Sequence, residues 1–120
     1  MFYNYKIKKI ERVVDGDTFD AFIDLGFNTL VKKRIRIYGI NCPECRTRNK
    51  KEKEKGLLAK KFLQQIFESF ENSISINSKG IGKYGRVLAE VKIDKIGEEK
   101  DIAEFMISNG HAEEYYGGKR

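Results

Sequence analysis

The chain has 120 residues, with 24 Lys and Arg against 18 Asp and Glu, for a net charge of +6. That length suits one domain, spanning 1–120, around a single core, and the positive balance favours polyanionic partners without requiring them. No run is apolar and long enough to span a membrane, and no apolar leader with a cleavage site opens the chain, so a cytoplasmic monomer is expected.

In chain order, Tyr3, Tyr5, Ile7, Ile10 and Val13 predict a first strand with irregular alternation, ended by the tight-turn pair Asp15-Gly16. A second strand is expected over 18–24 and a third over 29–40, with Ile35 and Ile37 on one face and Arg34, Arg36 and Tyr38 on the other. Pro43 ends regular pairing. Residues 45–56, polar and rich in Lys and Arg, are read as a mobile loop. Leu57, Leu58, Phe62, Leu63, Ile66, Phe67 and Phe70 then recur at helical spacing and predict a helix packed on the sheet. Two more strands follow, at 74–78 and 87–93, then a charged turn. A short helix over 102–109 is expected to be capped by Asp101 and stopped by Gly110. Three strands, helix, two strands, helix fit a small closed barrel of five antiparallel strands, a β-barrel with helices of the OB type in the α+β class. Closure also removes the exposed edges of so short a sheet.

Three stretches carry chemistry. They are Val14-Asp-Gly-Asp-Thr18, Arg34-Ile-Arg-Ile-Tyr-Gly-Ile-Asn-Cys-Pro-Glu44 and Lys83-Tyr-Gly-Arg86. Each is weak alone: Asp-Gly is a common hairpin turn, and arginines alternating on a strand are usually a solvated face. Together they offer oxygen donors for a hard cation and two fork-shaped cations for a phosphate.

These stretches, in order and at matching spacing, with Ile107-Ser-Asn-Gly-His-Ala112 after them, resemble the thermonuclease family of staphylococcal-nuclease-like domains over about residues 8–116. The ending is similar to short members that stop before the last helix of the secreted enzymes. The resemblance implies a five-stranded OB-fold barrel and a Ca²⁺-dependent nuclease hydrolysing DNA and RNA, best in single-stranded or flexible regions, to leave 3′-phosphate ends. It implies that Asp17 is a Ca²⁺ ligand, that Arg36 and Arg86 hold the phosphate, and that Glu44 is the general base. Lys83, Tyr84 and Tyr116 match positions that contact the nucleotide.

One position departs from the family. A second aspartate ligand is usual immediately before the small-residue-Pro-Glu stretch, and here that position is Asn41. Cys42 takes the next position, whose backbone carbonyl is a ligand in the family. An amide oxygen still coordinates Ca²⁺ but brings no charge, so weaker binding is expected. Three other readings stand beside this one. The first is a catalytically weak or inactive OB-fold module that binds nucleic acid. The second is a protein–protein interaction domain. The third is a redox or zinc role for Cys42-Pro-Glu-Cys45, disfavoured because only His111 is a further soft ligand and no helix-opening thioredoxin context exists.

Overall fold

The computed structural model describes residues 3–82, 85–95 and 98–116. The elements are β1 (Asn4–Asp15), β2 (Thr18–Asp24), β3 (Leu30–Ile37), β4 (Gly39–Asn41), α1 (Lys50–Ser69), β5 (Ile74–Ile81), β6 (Val87–Lys95), β7 (Glu98–Asp101), α2 (Ile102–Ser108) and β8 (Glu113–Tyr115). Strands β1, β2, β3, β6 and β5 close into the expected five-stranded OB-type barrel. All its pairings are antiparallel except the seam, where β3 meets β6 in parallel through Ile35 with Val87, Arg36 with Leu88 and Ile37 with Ala89. The predicted alternation holds: Ile35 and Ile37 are fully buried while Arg34 is exposed. Phe19, Ile35, Ile37, Val91 and Ile93 fill the barrel, and Leu63, Ile66 and Phe67 of α1 cover it. The rings of Phe19 and Phe67 meet edge to face at 4.8 Å between centroids. Among the described residues no helix is long and apolar enough to cross a membrane.

Four local expectations change. The third strand stops at Ile37, and Gly39 just beyond it turns the chain with a φ of 91°. Beyond it, β4 pairs instead with β8, Asn41 opposite Glu113. The charged stretch after β6 is a returning strand, β7, and not a turn alone. Residues 50–56 are helical, so the loop read over 45–56 ends at Asn49. The Asn49 side chain accepts the Glu52 N–H at 3.1 Å and caps the helix. That cap overcomes the unfavourable placing of Lys50 and Lys51 in the first turn, where the helix dipole opposes positive charge. The apolar stripe is shifted as well. Leu57 and Leu58 are exposed, and Gly56 and Ala59 face inward in their place.

The reason is a close approach. A Cβ on Gly56 would stand 2.5 Å from the Glu44 carbonyl oxygen, and one on Gly16 would stand 2.7 Å from the Ala59 Cβ. The first half of α1 therefore lies directly on the backbone of two other segments, and only minimal side chains fit between. The short helix α2 forms as expected, with Asp101 accepting the Ala103 N–H at 2.9 Å.

Gly56→Ala tests this contact. Alanine exceeds glycine in helix propensity by about 1 kcal/mol, yet overpacking against a backbone carbonyl costs about 1–3 kcal/mol. The variant is expected to unfold at lower urea concentration than the native protein; a raised midpoint would show that the contact has slack.

Candidate active site

The β1–β2 turn supplies Asp15, Gly16 and Asp17. Asp17 and Thr18 are only 7% and 5% exposed, and among the described residues they are the polar side chains buried to the level of the core. A buried carboxylate requires partners, since its charge has lost the water that solvated it. Asp17 has three. Its Oδ2 accepts the Cys42 backbone N–H at 2.9 Å, its Oδ1 accepts the Thr18 hydroxyl at 3.0 Å, and Arg36 Nη2 lies 3.8 Å from Oδ2. Asp15, expected merely to shape the turn, reaches much farther. Its Oδ1 accepts the Cys45 N–H at 3.2 Å. The two carboxylates thus hold both ends of the Cys42-Pro43-Glu44-Cys45 segment.

Arg36 is drawn in by the hairpin register, which sets it opposite Thr18. Its side chain is 16% exposed. It donates to the Ile37 carbonyl at 3.3 Å and to Asn41 Oδ1 at 3.5 Å, and its guanidinium carbon lies 5.6 Å from the centre of the Tyr115 ring. Asp17, Arg36, Asn41 and the Cys42 backbone therefore form one cluster. Glu44 and Arg86 stand beside a shared cleft of about 220 Å³, lined also by Asp15, Thr18, Arg34 and Arg46. Thr18 joins the two, since its hydroxyl holds Asp17 while its residue lines the cleft.

The donor chemistry of the cluster suits a hard cation. The oxygens of Asp17 and Asn41 both converge on the positively charged Nη2 of Arg36. Among the described residues no three His, Cys, Asp or Glu side chains gather closely enough to hold a metal alone. A cation there would rest on Asp17 as its charged donor, supplemented by amide and backbone oxygens.

The remaining sequence-predicted residues fall elsewhere. Lys83 and Tyr84 lie outside the described residues. Tyr116 is 65% exposed, packs 5.4 Å from the Tyr38 ring, and donates its hydroxyl to Glu114 Oε1 at 3.4 Å. Its cavity is lined by Glu90, Asp101, Glu104 and Glu114. That setting suits a neutral base on the ring better than a phosphate beside it. The His111 ring lies 4.7 Å from that of Phe62 between centroids, and the residue lines a cavity with Asn41 and Cys42.

The sequence pattern leaves Arg34 on a solvated strand face and Arg46 in a solvated basic run, and gives Asp15 the turn alone. The signal for Arg34 was present in the hairpin register, which puts Asp20 directly across from it. Arg34 donates to Asp20 through Nε at 2.8 Å and Nη2 at 3.1 Å. These bonds hold the Asp20 carboxyl below the usual carboxylate range and raise Arg34 in turn.

Both cysteines are buried and neither is in a disulfide. Burial, with Asp17 nearby, raises the Cys42 thiol far above its ordinary range. Burial and the Asp15 carboxylate push Cys45 up to about 11. The thiolate is the reactive form, so at pH 8 the native protein is expected to leave Ellman's reagent unreacted, and to release both thiols once unfolded in guanidinium. Rapid native reaction would place the segment at the surface.

A family model described as staphylococcal nuclease homologue matches residues 34–120. No curated protein gives a significant match. The matched stretch begins on β3, and the preceding β1 and β2, which carry Asp15 and Asp17, pair into the same barrel. With most of its length matched and the barrel closed as expected, the chain belongs to the staphylococcal nuclease homologue family, whose members act on nucleic acids.

Proposed function

We propose that this protein is a calcium-dependent nuclease that hydrolyses phosphodiester bonds of DNA and RNA, favours single-stranded or flexible regions, and leaves 3′-phosphate ends. The observation that carries this reading is the buried Asp17 carboxylate, converging with Asn41 on Arg36 beside a cleft that holds Glu44 and Arg86.

A phosphodiester resists attack because its oxygens are already negative, and that charge grows in the transition state. Arg36 on β3 and Arg86 just before β6 grip the phosphate with planar, multiple donors that lysine does not match. Glu44, exposed in the cleft, accepts a proton from the attacking water. Pro43 before it and the Asp15 bond to Cys45 after it hold its backbone in place. Asp17, Asn41 and the Cys42 carbonyl are the oxygens that take Ca²⁺, which when bound neutralises phosphate charge and acidifies water. Lys83, Tyr84 and Tyr116 contact the nucleotide. The domain acts as a monomer.

One observation favours a second reading, an OB-fold module that binds nucleic acid and cuts it weakly or not at all. Asn41 contributes no charge to the cation site, and the Arg36 guanidinium already stands 3.8 Å from Asp17 Oδ2 and 3.5 Å from Asn41 Oδ1. Cleavage of a fluorescent single-stranded DNA with Ca²⁺, and with excess chelator, separates the two. Chelator-sensitive cleavage is expected, with kcat reduced about 10²–10³-fold in Arg36→Ala and about 10²–10⁴-fold in Glu44→Gln. Binding without cleavage at millimolar Ca²⁺ would establish the second reading.

The amide at position 41 has its own test. Asn41→Asp adds a charged donor and is expected to bind Ca²⁺ more tightly than the native protein in a direct calorimetric titration. Equal or weaker affinity would show that residue 41 is not a ligand.

A further inference from the structure

We propose that Arg34, held by Asp20 and assisted by Arg46, forms a second phosphate subsite, so that the protein grips a polynucleotide at the phosphate being cut and at its neighbour. The proposal rests on the nuclease reading above, in that Arg36 and Arg86 take the first phosphate.

Arg34 and Arg36 alternate on the outward face of β3. Two residues along a strand advance about 6.6–6.8 Å, close to the step between successive phosphates of an extended single strand. The two arginines nevertheless meet different surroundings. Arg36 is turned inward onto Asp17 and Asn41. The Arg34 side chain is 43% exposed and lines the cleft that holds Glu44, Arg86 and Arg46.

Asp20 fixes the Arg34 fork through Nε and Nη2. A guanidinium has five N–H donors, so this pair leaves others for a second acceptor. Holding the fork in advance removes much of the ordering entropy that an arginine loses when it binds an anion. Asp20 does not cancel the local charge. Arg12 Nε also comes within 3.9 Å of it, so two cations share one carboxylate. Across the cleft, Arg34, Arg46 and Arg86 outnumber Asp15 and Glu44, and the Asp15 carboxylate is already engaged by the Cys45 N–H. An anion is attracted to the Arg34 end, and the occupant that places a second anion one step from the first is a polynucleotide strand.

The test compares two substrates on the full chain. One is thymidine 5′-(4-nitrophenyl phosphate), which has a single phosphodiester; the other is a single-stranded octanucleotide. Arg34→Ala removes a surface ion pair worth at most about 1 kcal/mol to the fold, which a melting curve checks. It is expected to raise KM for the octanucleotide about tenfold with kcat unchanged, and to leave the small ester untouched. It should also lower the salt slope of binding by about one. Arg34→Lys should keep the slope while losing part of the affinity. A native KM for the octanucleotide, or an equal loss on both substrates, would overturn the subsite. Fluorescence anisotropy with the octanucleotide in chelator reads the subsite without cleavage. If the native protein cuts neither substrate, the nuclease reading fails, yet weaker binding and a reduced salt slope in Arg34→Ala would still support the subsite, and unchanged binding would refute it.

Discussion

Two carboxylates in one turn organise this molecule. Asp15 and Asp17 accept backbone N–H groups from Cys45 and Cys42, far along the chain. Bonds between a charged acceptor and a backbone donor are among the stronger hydrogen bonds in proteins, and more so where water is excluded. They tie the end of β1 to the stretch that leads into α1. Gly16 between them rests on Ala59, and Gly56 rests on the Glu44 carbonyl. Turn, segment and helix are therefore one packed unit. Neither Asp17 nor the backbone of Glu44 moves without displacing the helix that covers the core.

How much of this was legible in the sequence depends on the range of the force involved. The alternation of Ile35 and Ile37, the Asp15-Gly16 turn and the cap at Asp101 are local patterns, and the strand order followed from them. The start of α1 was also local, in Asn49 with Glu52 three residues on, but the density of lysine around it resembled a solvated loop. Leu57 and Leu58 misled because apolarity usually marks the buried face. Here the inward positions went to Gly56 and Ala59, since a backbone stands where a leucine would have to fit. The pairing of β4 with β8 joins three-residue strands distant in sequence, and nothing in either short run specifies the other. For the site, the motifs pointed to the cluster around Asp17. They did not reveal that Asp15 acts across the fold.

Charge is arranged as unevenly in space as along the chain. The cleft beside Glu44 is lined by three arginines, while the cavity beside Tyr116 is lined by Glu90, Asp101, Glu104 and Glu114. Glu90 is itself paired with Lys79 and Lys92, so the acidic lining is partly balanced.

The seam between β3 and β6 carries a consequence in time. Three residue pairs close the barrel, in parallel, between strands with α1 and β5 between them in sequence. Contacts so distant in sequence form late, after the loop entropy has been spent. Arg86 immediately precedes β6, whose first residue pairs with Ile35 across this seam. A chain still emerging from the ribosome carries Asp17, Arg36 and Glu44 but has no Arg86 beside them. Under the proposed roles, the set of residues is complete only once the seam has closed.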